Sequence, residues 1–432
     1  MYFIYNLLFP LAFLFFLPGM IIKYIRRGGV KENYGERFAK FAETKLERLK
    51  EFRGAVWVHS VSVGETAIAL SMIRAWKEME PERRFVLSTT TTTGQGIAVS
   101  GAPDGVEVIF CPIDFIFFVR RTVSVLNPGM LIIFETEIWP NLIREVRRKG
   151  APVALVNARI SDRSAAGYRR WSFFFAPVLR QLSLLCVQTE TDAGRFKAVC
   201  SDVEPIVCGN MKFDQKIPAK LPEIGIERYF GDGDYDILLA ASTHPGEERL
   251  LAETYTELRG TYPSLKLIIV PRHAERGGEI ANLLGSMNLN YIRRSEDLRN
   301  SQEDTLKHAH CDVLLADTTG EMAAFMKAAD IVVMGKSLAG HNEGHNIIEP
   351  ALMRKPVVTG CELRNFRFVL KAMKDDDALI TADSDGVLKQ ILDELLASPE
   401  KRAELGERAG NSVKKHRGAT KRTIELCRKL LR

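Results

Sequence analysis

The strongest constraint on the fold is a repeated alternation of short β-branched runs with longer amphipathic stretches along the chain. Such runs are typical of buried parallel strands, and the stretches between them are typical of crossover helices. The predicted strands are Ala55–His59, Phe85–Thr89, Val106–Phe110, Met130–Phe134, Val153–Asn157, Leu184–Gln188 and Pro205–Val207, then Asp236–Ala241, Leu265–Val270, Val313–Ala316, Ile331–Met334 and Pro356–Thr359. A cluster of Pro and Gly over Phe213–Asp236 separates the two series. We therefore expect an α/β protein with two doubly wound, Rossmann-like domains that face a central cleft.

The amino terminus has no charged side chain over residues 1–22 and is almost wholly apolar. As a helix it would be roughly 32 Å long, enough to cross the hydrocarbon core of a bilayer. Lys23, Arg26 and Arg27 follow at once, and the positive-inside rule places the rest of the chain in the cytoplasm. Residues 1–25 are therefore predicted to be a single membrane anchor. Two prolines leave open a helix that dips into one leaflet.

Positive charge is concentrated near the two ends of the chain. Residues 23–53 hold ten Lys and Arg against five Glu, and residues 400–432 hold eleven against four. This distribution favours an anionic surface or ligand as partner, whereas the absence of a nucleic-acid-binding motif argues against nucleic acid. The predicted domains are 26–213 and 214–400, followed by a basic helix over 401–432 that packs back toward the first domain.

No metal site is predicted from the sequence. The seven Cys form no CxxC pair, which indicates reduced thiols. Asp232-Gly233-Asp234 precedes a strand inside the linker. The pair His341 and His345 lacks the HExxH arrangement of zinc enzymes.

Two acidic motifs follow predicted strands of the first domain. Glu65 lies at a helix start after Val56–His59, where the helix dipole favours the ionised form that suits a general base. The alternative is an acidic residue that merely serves the first turn of a helix. Glu135 and Glu137 follow Met130–Phe134, and one of them could position a substrate hydroxyl or simply act as a cap.

Cationic and hydroxyl side chains at strand ends suggest an anion site. Ser242 and Arg272 follow two predicted strands of the second domain and could hold a phosphate or carboxylate. Lys212 lies at the domain boundary and could do the same. The alternatives are an ordinary helix cap, a surface arginine and a solvated linker lysine.

The segment Gly344–Ala351 follows the apolar run Ile331–Met334 and reads as a Gly-rich turn leading into a helix. Pro350 is best placed in the first turn of that helix. The turn over residues 335–349 is predicted to offer free backbone N–H groups to a phosphate and the carboxylate of Glu349 to sugar hydroxyls. The alternative is a helix cap, since Asn346 and Glu349 have capping-box spacing.

Taken together, the motifs resemble one family. The chain contains, in order, VHSVSVGE, STTTTTG, FETEIWPN, VNARISDRS, CGNMKFD, ASTHPGEE, VPRH and GHNIIEPA. This order and spacing are similar to the 3-deoxy-D-manno-octulosonic acid (Kdo) transferases of lipid A assembly, glycosyltransferase family 30, over about residues 20–400. The resemblance implies a GT-B fold at the cell inner membrane. It also implies transfer of Kdo from CMP-Kdo to a lipid A precursor (lipid IVA), with inversion and without metal or other cofactor.

The resemblance also implies roles for matching positions. Glu65 would deprotonate the acceptor hydroxyl, and Glu135 would be a second carboxylate on the acceptor side. The implied donor-binding residues are Ser242, Arg272, Gly344, His345, Asn346 and Glu349, and a weaker match is Lys212 as a phosphate or carboxylate contact.

The chain departs from the family pattern at two positions of the Gly-rich turn. Lys336 and Glu343 stand where the family usually has Gly. Two other functions remain as alternatives: a GT-B enzyme that transfers a UDP-sugar to a lipid, and a non-catalytic, membrane-anchored binding protein.

Overall fold

The computed structural model describes residues 1–26, 33–218, 220–300 and 310–431. The chain divides into two compact units. Unit 1 comprises Met1–Asp214 and Arg417–Arg432, and unit 2 comprises Gln215–His416.

Unit 1 is built on a parallel sheet with the strand order β3-β2-β1-β4-β5-β6-β7 over its described residues. Its strands are β1 Val56–Ser60, β2 Phe85–Thr89, β3 Val106–Phe110, β4 Met130–Phe134, β5 Val153–Ala158, β6 Leu184–Val187 and β7 Ile206–Val207. Its helices before residue 215 are α1 Tyr2–Arg26, α2 Glu43–Glu51, α3 Val63–Met79, α4 Thr92–Gly101, α5 Ile116–Leu126, α6 Pro140–Arg148, α7 Asp162–Arg170, α8 Ser172–Leu179 and α9 Glu190–Val199. Strands β1 and β4 are buried along their whole length, as expected for a sheet covered on both faces.

Unit 2 repeats this architecture, with the strand order β10-β11-β9-β8-β12-β13-β14 in the part of the chain that the structure describes. Its strands are β8 Ile237–Thr243, β9 Lys266–Pro271, β10 Tyr291–Arg293, β11 Val313–Leu315, β12 Ile331–Met334, β13 Val357–Gly360 and β14 Ile380–Ala382. Its helices are α10 Glu227–Phe230, α11 Glu247–Arg259, α12 Gly277–Ser286, α13 Arg294–Asn300, α14 Met322–Ala328, α15 Ile348–Leu352, α16 Arg367–Asp375, α17 Asp385–Ala397 and α18 Pro399–His416.

Each apolar run predicted as a strand is a strand in the structure, with ends that differ by up to two residues. The prediction missed β10 and β14, which are the outermost strands of the unit 2 sheet. Each has only three residues, and most of these are half-buried. Edge strands as short as these leave too few apolar positions for a period to appear.

The basic segment over 401–432 is two helices, so the prediction of one helix is wrong. Helix α18 ends at His416, and α19 runs from Ala419 to Leu430 within unit 1. Gly418 separates them with φ = 101°, a left-handed conformation that favours glycine. Asp214 fixes the start of α19, because its carboxylate accepts bonds from the backbone N–H groups of Gly418 and Thr420, both at 2.6 Å.

Helix α1 lies against unit 1 through its first turns. Tyr5 donates a hydrogen bond to the Asp114 carboxylate at 2.8 Å, and Asn6 exchanges hydrogen bonds with the Asn141 side chain. The rings of Phe9 and Phe115 pack edge to face at 5.4 Å. Within the described ranges, no helix combines the length and apolarity needed to cross a membrane, so the predicted membrane anchor over 1–25 is not supported.

The strand order places a topological switch point in each unit. In unit 1, β1 and β4 are neighbours, and the chain continues from β1 toward one edge of the sheet and from β4 toward the other. Strands β8 and β12 have the same relation in unit 2. Ligands of open α/β sheets bind at the carboxyl ends of such strand pairs. Most of the candidate residues lie at or after these four strands, whereas Arg272 follows β9 and Lys212 follows β7.

Candidate active site

The first candidate site lies after β1 and is centred on Glu65. Ser62 caps α3, because its side-chain oxygen accepts a hydrogen bond from the Glu65 backbone N–H. The Glu65 carboxylate accepts bonds from Ser62 Oγ and from the Val61 N–H, both at 2.8 Å. This reciprocal arrangement is a variant of the capping box, in which the carboxylate binds the N–H of Val61 and not that of Ser62, and Glu65 is only 8% exposed. Glu65 therefore does serve the first turn of the helix, which was the alternative to a catalytic role. Each of its oxygens still has a second lone pair that can accept a proton.

Three carboxyl groups act on one another in unit 1. Burial raises the pKa of Glu65. The hydrogen bond from Val61 lowers this pKa, and the charge of Glu135 raises it. Burial raises the pKa of Glu137 to about 7, with contributions from Glu65 and Glu135. A carboxylate with a raised pKa is a stronger base at neutral pH than an ordinary one.

Glu135 lies directly after β4 in a strained backbone conformation, with φ = 54°. Its backbone N–H donates to the Val156 carbonyl, and its carboxylate pairs with Arg159 at 3.1 Å. A non-glycine residue held at positive φ at a strand end is a feature of functional sites. The observed ion pair gives the Glu135 carboxylate a cationic partner, whereas the Glu65 carboxylate accepts bonds only from neutral donors among the described residues.

Lys212 belongs to the same cluster of unit 1. Burial lowers the pKa of its ammonium group, while the charges of Glu135 and Glu65 act in the opposite direction. The structure therefore brings together three residues that the sequence nominated separately. This group, with Glu137 and Arg159, is called the acidic cluster below.

Sequence reasoning assigned no role to Arg159, and it left Glu137 undecided beside Glu135. The signal for Arg159 was its place directly after strand β5, within the motif VNARISDRS. The signal for Glu137 was weaker, because it lies three residues past the end of β4, where a carboxylate can equally be a surface charge.

The second candidate site lies after β8 in unit 2. The pairing of β8 with β9 shifts register between Ala241 and Thr243, and Ser242 between them has φ = 57°. A bulge of this kind turns a side chain out of the regular alternation of a strand. Ser242 is half-buried and lies inside β8, one residue before its end, whereas it was predicted to follow the strand.

Glu247 organises the loops that follow β8 and β12. Its side chain is fully buried, and its carboxylate accepts four backbone hydrogen bonds of 2.8–2.9 Å. The donors are the N–H groups of His244, Lys336, Ser337 and Leu338. The prediction of free N–H groups along the whole turn is therefore wrong for residues 336–338, because an internal carboxylate already binds them.

One departure from the family pattern, Lys336, lies at a position with positive φ. Its φ of 61° lies in the left-handed region, where the glycine usual in the family is less strained. The bond from its N–H to Glu247 at 2.8 Å holds it there.

Four histidines converge in unit 2. His244 and His345 stack with ring centroids 5.2 Å apart, and their Nε2 atoms are 2.9 Å apart. The rings of His273 and His341 lie 5.9 and 5.6 Å from that of His244. Over the described residues, no group of three or more His, Cys, Asp or Glu has an arrangement that could hold a metal ion. Sequence reasoning missed His244, whose signal was its place after the strand in ASTHPGEE.

Gly344 serves the fold of the turn. Its N–H donates to the Lys336 carbonyl at 2.7 Å, so it is not free for a phosphate. The residue has φ = 71°, and a Cβ there would lie 2.3 Å from the Leu363 side chain. Both the left-handed backbone and the close approach require glycine.

Asn346 and Glu349 interact with each other at the start of α15. The Asn346 side chain donates to Glu349 at 3.0 Å and to Gln215 at 2.7 Å, and its oxygen accepts from the Ile348 N–H. Pro350 lies in the first turn of α15, as predicted. Burial raises the pKa of Glu349, whereas Asn346 and Arg272 lower it. Arg272 is an exposed residue after β9, and its charge also lowers the pKa of His345.

The comparisons with known proteins agree with this geometry. A family model described as 3-deoxy-D-manno-octulosonic-acid transferase (kdotransferase) matches residues 32–215. The 3-deoxy-D-manno-octulosonic acid transferase of Haemophilus influenzae is 30% identical over 87% of this chain and 87% of its own length. That of Bordetella pertussis is 32% identical over 93% and 92%. A crystal structure of a glycosyltransferase from Rickettsia africae covers 88% of this chain and 99% of its own, with a TM-score of 0.58 and 12% identity.

Two units with parallel, doubly wound sheets give the chain a GT-B fold, which the Rickettsia structure shares. The extent of the match to the Haemophilus and Bordetella proteins places the chain more narrowly. It belongs to the 3-deoxy-D-manno-octulosonic acid transferase family.

Proposed function

We propose that this protein transfers Kdo from CMP-Kdo to a hydroxyl of a lipid A precursor, with inversion at the anomeric carbon. Glu65 takes the proton of the acceptor hydroxyl as its oxygen attacks that carbon. The bond from the carbon to the phosphate oxygen breaks, and CMP leaves with the electron pair. Family membership and the buried, raised-pKa carboxylate of Glu65 together support this proposal.

The other residues position the substrates in this proposal. Lys212 and the Glu135–Arg159 pair bind polar groups of the acceptor side, since they belong to the acidic cluster. Ser242, Arg272 and His345 hold the donor after the strands of unit 2, and Glu349 binds the ribose. No metal is needed in this mechanism because CMP is a stable leaving group.

The test is product analysis by mass spectrometry after incubation of the purified full chain with CMP-Kdo and lipid IVA. The expected result is a lipid product heavier by one or more Kdo units. The matched control replaces CMP-Kdo with a UDP-sugar and is expected to give no product. Product only from the UDP-sugar would contradict the proposed donor.

We further propose that unit 1 binds the inner membrane through α1 lying along the surface. Seven apolar side chains of α1 are 55–81% exposed: Phe3, Ile4, Leu7, Leu8, Leu11, Leu14 and Phe15. Their spacing forms a stripe on a helix whose other face contacts unit 1. An apolar stripe of this length is the feature of helices that lie in the lipid interface.

Neighbouring helices extend this stripe with further exposed apolar and basic residues. Phe117 on α5 and Trp171 and Phe173 beside α8 are 77%, 53% and 69% exposed. The side chains of α5 and α8 next to them contact α1, through Phe115 against Phe9 and Phe174 against Tyr5. Exposed arginines adjoin these residues in the chain: Arg120, Arg121, Arg169 and Arg170. Arginines around an apolar surface favour anionic lipid headgroups.

The triple variant Leu7→Ser, Leu11→Ser, Leu14→Ser is expected to lose vesicle binding by at least about a hundredfold, since each exposed Leu adds roughly 1.5 kcal/mol or more when buried in lipid. Flotation with phosphatidylcholine vesicles, with and without phosphatidylglycerol, measures this. Leu298→Ser in unit 2 is the matched control and should bind as the unaltered protein does. Equal binding of the triple variant would refute the proposed surface.

A further inference from the structure

The contact between His244 and His345 constrains where their protons lie. Two ring nitrogens 2.9 Å apart form a hydrogen bond only when one carries a proton and the other offers a lone pair. The two imidazoles are therefore one unit, called the histidine pair below. His244 comes from the loop after β8 and His345 from the turn after β12, and Glu247 ties these two loops together.

The histidine pair can hold one positive charge but not two. An additional proton on the outer nitrogen of the donating ring makes the bond between the rings charge-assisted and therefore stronger. A second additional proton would place two N–H groups against each other and break that bond. The pair thus titrates as a single site that is either neutral or singly charged.

The groups that face the pair are three cations and two further histidines. The cations are Lys336, Arg272 and Arg276, and the histidines are His273 and His341. The acidic residues nearby already have partners. Glu247 accepts bonds from four backbone N–H groups, and Glu349 accepts one from Asn346. Glu248 and Glu279 form ion pairs with Arg276, and the charge of exposed Glu343 interacts with Lys336 and His341. Burial lowers the pKa of His244 to about 4, helped first by Lys336, and lowers that of His345 to about 3, helped first by His244 and then by Arg272. The pair is therefore neutral at pH 7 and surrounded by positive charge.

We propose that the histidine pair binds the phosphate of the nucleotide donor and takes up one proton as that phosphate arrives. The inference rests on the proposed function and assigns His244 to it. A phosphate beside the pair reverses the sign of the local field, so the charged form becomes favoured. The resulting imidazolium donates a charge-assisted hydrogen bond to the phosphate.

Proton uptake also serves the transfer step. When the bond between sugar and phosphate breaks, the electron pair stays on the phosphate oxygen, and negative charge grows there. A positive pair already in place stabilises that charge without rearrangement. The proton remains on the histidine pair until CMP dissociates and is then released to water, so the pair returns to its neutral form.

The experiment is calorimetric titration of the full chain with CMP at pH 7 in buffers of different ionisation enthalpy. The slope of observed enthalpy against buffer enthalpy gives the number of protons exchanged. Free CMP titrates near pH 6 itself, so the quantity compared is the difference between proteins. On binding CMP, the unaltered protein is expected to take up about one proton more than the variants His244→Gln and His345→Gln do. His310→Gln, an exposed histidine of the same unit, is the matched control and should behave as the unaltered protein does.

The variants should also bind CMP at least about tenfold more weakly at pH 6, with a smaller loss at pH 8, because proton uptake costs more as pH rises. Equal proton numbers in the unaltered protein and both variants would overturn the inference. So would absence of CMP binding by the unaltered protein. In either case, Kdo transfer measured by mass spectrometry would show separately whether the proposed function stands.

Discussion

Replacing Glu65 with glutamine is expected to leave the chain folded and to lower kcat for Kdo transfer by about a hundredfold to ten-thousandfold. The amide has nearly the same shape, and its oxygen can still accept the hydrogen bond from Val61. It cannot accept a proton, so the acceptor hydroxyl loses its base. Steady-state transfer rates, with urea unfolding as the check on folding, measure the two effects separately.

The capping box of α3 provides the control for this variant. Ser62→Ala removes the cap but keeps the carboxylate, and it should cost about 1 kcal/mol of stability. Its transfer rate should stay within about tenfold of the unaltered protein, because the base is still present. If Ser62→Ala lost as much activity as Glu65→Gln, the loss in both variants would come from the altered start of helix α3 and not from a missing base. A Glu65→Gln variant with a near-normal rate would show that another group is the base.

The same carboxylate predicts the acid side of the pH profile. Burial raises the pKa of Glu65 above its usual value of 4.5. The base is active only when ionised, so the rate should fall with decreasing pH at a higher pH than for an ordinary glutamate.

Glu247→Ala is expected to destabilise unit 2 by about 3–5 kcal/mol. The substitution leaves four backbone N–H groups without the carboxylate that accepts their bonds, in a place where Glu247 is fully buried. The loops after β8 and β12 lose their common partner, so the affinity for CMP should fall as well. Urea unfolding followed by fluorescence, and titration with CMP, measure these effects.

Glu253→Gln is the matched control, since it changes a half-exposed carboxylate on the same helix α11. Its only described ion pair joins consecutive turns of the helix, to Arg249 at 3.7 Å, and such pairs contribute less than about 1 kcal/mol. An unfolding midpoint of Glu247→Ala equal to that of Glu253→Gln would mean that water replaces the carboxylate at the four N–H groups.

The strands and their order of appearance followed from local patterns. Runs such as Met130–Phe134 and Ile331–Met334 have identical bounds in sequence and structure, because a strand buried on both faces is apolar at every position. The helix starts at Glu65 and Pro350 were likewise readable, since they depend on residues a few positions apart. The short edge strand β14 and the division at Gly418 were not, because both depend on what lies beside them.

The amino-terminal helix shows what composition alone leaves open. The apolar run over 2–22 is long enough to span a bilayer, and in the structure Tyr5, Asn6 and Phe9 of α1 contact side chains of unit 1. An uncharged segment can be buried by lipid or by protein, and its sequence does not distinguish the two.

By itself, the sequence determined which side chains stand at the ends of the strands, because strand and turn signals are local: Glu65, Glu135, Ser242 and Arg272 were all found in this way. Only the tertiary structure decided what those side chains do there. It set Glu135 against Arg159, used Glu247 to bind the turn after β12, and placed His244 on His345, a hundred and one residues further along the chain. The physical reason is that hydrogen bonds and charges act over a few ångströms of space, and residue order does not reveal which distant groups come that close.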